Sequence, residues 1–127
     1  MIGLPSLRDL DERSTATRIW LCTHPIDMRL GFDRLAELVA TVTGQDPLSG
    51  YLFFFRSRGG DRLKALYFDR DRYALWYKRL EEGTFRLPKL DDAARKSIEL
   101  RPGELAMLLD GIDLRSLRRT KRYRPKA

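Results

Sequence analysis

The chain is poor in the residue types that build most metal and nucleophile sites. Its 127 residues include one cysteine, Cys22, and one histidine, His24. A lone cysteine excludes an internal disulfide, and one residue of each kind cannot form an ordinary zinc site. A Cys–His nucleophile would have to use this pair, two apart in an expected strand, with no third group to orient the base. A buried thiol beside a turn histidine is the simpler reading. Long apolar runs are missing too. Stretches such as Tyr51–Phe55 fall far short of the roughly 20 residues that span a bilayer. The opening residues, MIGLPSLRDLDERS, carry charge where a signal peptide needs an apolar stretch. A cytoplasmic protein with no membrane partner is therefore expected. With 43% hydrophobic and 34% charged residues, the chain fits one domain with a real core and a wet surface.

What is present is positive charge, unevenly placed. The chain has 25 Lys and Arg against 18 Asp and Glu, a net of +7. Residues 113–127 hold seven of the cations and one acid, Asp113. Arg56–Arg79 holds Arg56, Arg58, Arg62, Lys64, Arg70, Arg72, Lys78 and Arg79 against only Asp61, Asp69 and Asp71. The rest of the chain is net acidic. A nearly neutral body with one basic segment and a basic tail points to a polyanionic partner.

Residues 1–17 read as an arm of low order, 18–112 as the domain and 113–127 as a basic tail. RIWLCT, at 18–23, predicts a strand stopped by His24-Pro25. Phe32, Leu35, Leu38, Val39 and Val42 recur at helical spacing, from about Met28 or Gly31 to Thr43, with Gly44 at the stop and Asp27 as the expected N-cap. YLFFFR, at 51–56, predicts a buried strand, the Gly59-Gly60 loop a hairpin and RLKALYF, at 62–68, its partner. Residues 72–82 are ambiguous. Tyr73, Trp76, Tyr77 and Leu80 fit a helix stripe, the favoured reading, yet the same residues could form a third meander strand. Thr84–Leu87 is expected as a short strand, residues 89–97 as a polar linker or loose helix, and Pro102, Glu104 and Leu105–Leu109 as a short helix. The sum is an α+β fold: a single two-layer domain of βαββαβ-like order, with helices on one face of a mixed or antiparallel sheet, a short extra C-terminal helix and a basic tail.

Chemistry follows from these placements. Arg56, Arg58, Arg62 and Lys64 flank the glycine loop, where backbone can approach a phosphate and guanidiniums can clamp its oxygens. The loop lacks the spacing of a Walker or dinucleotide motif, so no nucleotide cofactor is expected. Tyr67, Phe68, Tyr73, Trp76 and Tyr77 interleave with cations that include Lys78 and Arg79. Aromatic platforms beside cations hold single-stranded nucleic acid, though aromatics at such spacing also fill cores. In the tail, Arg115, Arg118, Arg119, Lys121, Arg122 and Arg124 can neutralise phosphates. In a helical tail Arg115, Arg118, Arg119 and Arg122 would share a face. A metal-dependent nuclease would need converging carboxylates. Asp27, Asp33, Asp61, Asp69 and Asp71 are the candidates, and capping or turn roles account for them.

Four groups of residues carry a resemblance that covers about 18–114. They are Asp27-Met28-Arg29 with Gly31-Phe32-Asp33, Asp46-Pro47 with Ser49-Gly50, Gly60-Asp61-Arg62 with Lys64, and Lys78-Arg79-Leu80-Glu81 with Gly83 and Phe85. In this order the chain resembles the small accessory protein, often labelled TnpB, made from the second reading frame of bacterial insertion sequences of family sixty-six. The resemblance implies a non-catalytic role in DNA transposition, beside a DDE-type transposase and a helix-turn-helix protein of the same element. It brings no catalytic residues. Binding of DNA at the element ends, and nucleoid association when bound, are the corresponding expectations. Docking on the transposase with little DNA affinity is the alternative, with Tyr73, Trp76 and Tyr77 as anchors.

Overall fold

The computed structural model describes residues 17–86 and 95–110, together with the backbone of 112–113 and 118–119. Its centre is a five-stranded mixed sheet. In chain order the strands are β1 (Ile19–Cys22), β2 (Leu52–Arg56), β3 (Arg62–Asp69), β4 (Arg72–Arg79) and β5 (Ser97–Leu100), and in space they run β4-β3-β2-β1-β5. The β1–β2 pair is parallel and the other pairs are antiparallel. A parallel pair needs a crossover, and helix α1 (Phe32–Leu38) supplies it. A π-helical segment, Val39–Thr43, continues α1 to Gly44 at φ 70°. It carries four β-branched residues, and the Thr41 and Thr43 hydroxyls donate to carbonyls of the preceding turn, which competes with regular α pairing. Helix α2 (Pro102–Asp110) follows β5.

The α+β class and the mixed sheet stand as expected. The ambiguous segment resolves as strand: 72–79 is β4, paired along its whole length with β3 from Arg62↔Arg79 to Asp69↔Arg72. The turn between them is only Arg70-Asp71, with Arg70 at φ 62°. Two-residue hairpin turns normally advertise themselves with glycine or asparagine. Here an arginine occupies the left-handed region, so the signal is faint. As a strand, the segment sends Ala74 and Trp76 to one face and Tyr73 and Leu75 to the other.

Strand alternation then gives the sheet two apolar faces. Phe53, Phe55, Leu66 and Cys22 pack with Leu35 of α1 and Val39 of the π segment. Ile19, Leu21, Leu52, Phe54, Leu63, Ala65 and Trp76 pack with Leu105, Leu108 and Leu109 of α2. The helices therefore cover opposite faces, a correction to the two-layer picture with both on one side. Phe53, Phe54 and Phe55 are all fully buried. Each contributes about 2–3 kcal/mol by leaving water, and a continuous apolar run is what a strand covered on both sides requires.

Smaller expectations also change. Asp27 does not cap α1: Gly31 holds the N-cap position without a side-chain hydrogen bond. Asp27 instead accepts from the Arg29 amide at 2.9 Å. Residues 84–86 are irregular, although Phe85 is fully buried. The expected linker ends in strand β5. The N-terminal arm to residue 16 and positions 87–94 lie outside the described residues.

Candidate nucleic-acid interface at one end of the sheet

The C-terminal ends of β1, β2 and β4 and the N-terminal ends of β3 and β5 meet at one end of the sheet, called here the Gly60 end. Four segments converge there. The glycine loop folds through Gly60 N–H donating to the Ser57 carbonyl at 3.0 Å, with Gly60 at φ 77°. The Ser57 hydroxyl donates to Asp61 at 3.2 Å and accepts from the Arg62 amide at 3.0 Å. The segment after β4 is tied on by Leu80 N–H to the Asp61 carbonyl at 2.8 Å and by Phe85 N–H to the Gly60 carbonyl at 2.7 Å. The segment after β1 joins through Ile26 N–H to the Arg56 carbonyl at 3.0 Å. Residues 95–96 join through Thr23, whose amide donates to the Lys96 carbonyl at 2.9 Å. Three of the four residue groups quoted for the resemblance thus meet here. Asp46-Pro47 and Ser49-Gly50 form the turn into β2 at the opposite end, where Asp46 accepts from the Leu48 amide at 2.9 Å.

The expected cations fall into distinct environments. Lys64 is buried, not solvated. Its Nζ donates to the Met28 carbonyl at 2.5 Å and the Leu30 carbonyl at 3.1 Å, and sits 5.0 Å from the centre of the Tyr77 ring. Burial lowers its pKa, against a smaller opposing pull from Asp27. Lys64 is a tether for the loop entering α1, which corrects its reading as an open phosphate contact. Arg79 is exposed and pairs with Glu81 at 3.4 Å. Arg62 faces Arg79 directly across the β3–β4 ladder, and among the described residues its guanidinium meets only the Tyr77 hydroxyl, at 3.5 Å. Like charges opposite one another cost stability. Arg58 stands exposed on the loop, and Lys78 is half-exposed. Neither enters the ion pairs Arg79–Glu81, Arg29–Asp27 or Arg34–Glu37.

Arg56 is a different case. It is half-buried, and its Nε is buried without a hydrogen-bond partner. Burial first, and the neighbouring Arg86 second, push its pKa below the ordinary arginine value. The sequence reading missed Arg86. It also missed Arg95 and Lys96, exposed residues that the β1–β5 pairing brings to this end. Only the sheet order could have signalled them. The sheet also divides the cations. Arg56 and Lys78 flank Leu63 on the α2 face, whereas Arg62, Lys64, Tyr77 and Arg79 lie on the α1 face.

Of the aromatic anchors, Trp76 is buried and Tyr73 half-buried, so only Tyr77, 40% exposed, is open. The Cys22 thiol is buried, which pushes its pKa up to about 12, and His24 is exposed. The pair makes no nucleophile site. Among the described residues no three His, Cys, Asp or Glu side chains converge as a metal site would require. Arg118–Arg119 is extended and pairs with Ile112–Asp113, so these two do not sit on a helical stripe. Arg115, Lys121, Arg122 and Arg124 lie outside the described residues. No helix among the described residues is long and apolar enough to cross a membrane.

The structure defines a class: a small α+β domain whose sheet end gathers cations from four segments. The comparisons sharpen this. The family model described as "IS66 Orf2 like protein" matches residues 17–119, and the chain belongs to that family. It is thereby a transposition-associated accessory protein, in a family that is not a known enzyme family. Two uncharacterized proteins of Sinorhizobium fredii are similar to it. One, y4hO, is 41% identical over 105 residues, 83% of this chain and 89% of that protein. The other, y4jC, is 35% identical over 112 residues, 88% and 93% respectively. No solved structure matches the chain significantly.

Proposed function

We propose that the protein is a non-catalytic DNA-binding factor of the transposition machinery that grips the phosphate backbone at the Gly60 end. The observation that carries this reading is the gathering of Arg58, Arg62, Lys78, Arg86, Arg95 and Lys96 there, with Arg62 set against Arg79. Such a cluster repels itself, and a polyanion relieves the repulsion while releasing its own counterions. The basic tail adds charge without sequence readout. On this reading the DNA is the element's ends, and the DDE-type transposase and helix-turn-helix protein of the same element are the protein partners, in a cytoplasmic, nucleoid-associated complex.

The test is fluorescence anisotropy of a labelled duplex titrated with the full chain across a salt series. The logarithm of the affinity falls linearly with the logarithm of salt. Arg58→Gln and Arg62→Gln each flatten that slope by about 0.9. Absence of binding at low salt sinks the proposal. The docking alternative is favoured by one observation, the open Tyr77 ring on β4, whose outer edge pairs with no other strand among the described residues. Capture of the transposase that survives nuclease treatment and is lost in Tyr77→Ala supports docking. Loss after nuclease supports DNA bridging.

A further inference from the structure

We infer that Arg56 and Arg86 together form a seat for one phosphate group on the α2 face of the Gly60 end. This rests on the reading above, in which the group is a backbone phosphate. The first observation is an unsatisfied donor. Arg56 Nε is buried with no acceptor, and no carboxylate pairs with this guanidinium among the described residues. Half-buried guanidiniums normally find acceptors, because their N–H groups are costly to leave dry and unpaired. The second is how the group is held. A Cβ on Gly60 would come within 2.9 Å of Arg56 Nη2, 3.1 Å of its Nε and 3.3 Å of Thr84 Cβ. The guanidinium is therefore pressed against bare backbone, with Thr84 alongside, and its freedom is spent before a ligand arrives.

The third observation is a second cation. Phe85 N–H bonds the Gly60 carbonyl, which draws the 84–86 segment over the loop that follows Arg56, and Arg86 is exposed there. The two are close enough that Arg86 disfavours the charged form of Arg56. Two neighbouring guanidiniums without a carboxylate match a tetrahedral anion, whose oxygens can accept from both forks at once. Lys78, two ladder positions across on the same face, adds field without needing contact.

The experiment follows arginine Nε–H signals of the ¹⁵N-labelled full chain by NMR. Sodium phosphate is titrated at constant ionic strength, with sodium acetate as the carboxylate arm. The Arg56 and Arg86 signals are expected to move together along one saturating curve with phosphate, while Arg29 and Arg58 stay near their starting positions. Arg86→Gln, an exposed change that leaves the core intact, weakens the Arg56 response about tenfold. Arg56→Lys keeps the charge, loses the fork, and weakens the Arg86 response. An indifferent Arg56, a response shared equally by Arg58, or an equal response to acetate overturns the seat. Duplex DNA provides the second arm. Because both arginines serve one phosphate, each single Gln variant lowers affinity with little change in salt slope, and the double variant lowers the slope by about 0.9. A double variant with twice that loss overturns the shared seat. Failure of the wild-type chain to bind duplex, with the phosphate response intact, overturns the nucleic-acid reading and leaves the seat standing. DNA binding with a silent Arg56 overturns the seat alone.

Discussion

The two ends of the sheet answer their cations to different degrees. At the Arg70 end, Arg18 grips Glu99 through two bonds of 2.7 and 2.9 Å and lies over the Trp20 and Tyr51 rings at 5.3 and 5.4 Å. Arg72 pairs with Asp71 at 3.0 Å, and Arg101 with Glu104 at 3.3 Å. These cations are locally answered. At the Gly60 end Asp27 and Glu81 answer Arg29 and Arg79, but Lys64 is spent on backbone carbonyls, Arg56 Nε has no acceptor among the described residues, and Arg62 faces another arginine. Counting charges cannot separate the two ends. What separates them is which cation has a carboxylate within reach and which is left to the solvent or a ligand.

The strongest way to break the comparison is through Lys64, a buried cation of the Gly60 end that works for the fold. Lys64→Met should destabilise the protein by about 2–3 kcal/mol, read from urea unfolding, because two carbonyls lose a charged donor. Hydrogen exchange across 28–31 should quicken, while the salt slope of DNA binding stays as in the wild type. A slope flattened by Lys64→Met would return this residue to the phosphate contacts.

Glycine sharpens the same contrast. Gly60 and Gly50 both have left-handed backbone, at φ 77° and 85°, and lie at opposite ends. A Cβ on Gly50 meets only the Phe68 carbonyl, at 3.9 Å, whereas one on Gly60 runs into Arg56 and Thr84. Gly50→Ala should cost about 1 kcal/mol from the backbone alone. Gly60→Ala should cost about 2 kcal/mol, since Arg56 can yield only in part. Equal costs would mean that the guanidinium is not held where the structure puts it.

Affinity gives the next effect down. Arg62→Gln should flatten the salt slope by about 0.9, and Arg72→Gln, its counterpart at the Arg70 end, should leave it unchanged. Equal changes would reduce the contrast to bulk charge.

Much of the fold was legible from residue types. YLFFFR, the 32–43 periodicity and Pro102 with Glu104 each named their element, because burial on both faces of a strand, burial of one helix face and a helix start each leave a local signature. The 72–82 segment did not. Its aromatics suit both periods, and the turn that decides the matter hinges on the backbone of Arg70, which side-chain type does not announce. The site was legible as a list and illegible as an arrangement. Arg58, Arg62 and Lys78 come together at one end of the sheet, but the burial of Lys64 depends on a loop 34 residues away, accepting through Leu30. Arg86, Arg95 and Lys96 join only through strand order, a long-range property that no local window contains.

The smallest expected effect tests whether pairing at the Gly60 end follows the same physics as at the Arg70 end. Asp27 accepts from the Arg29 guanidinium at 2.7 Å and from the Arg29 amide, and these bonds hold its carboxyl down at about 2. A depressed carboxylate stabilises the fold at pH values above its unfolded value, near 3.9. That contribution fades as pH falls through about 2. The carboxyl carbon signal of Asp27 should therefore titrate with a midpoint near 2, and Arg29→Gln should move it up towards the unfolded value. Because both groups lie in solvent, the stability change should be slight and should shrink further with added salt. A midpoint already near 3.9 in the wild-type chain would mean that the Asp27–Arg29 pair does not persist in solution. Arg29 would then count among the cations open to a polyanion.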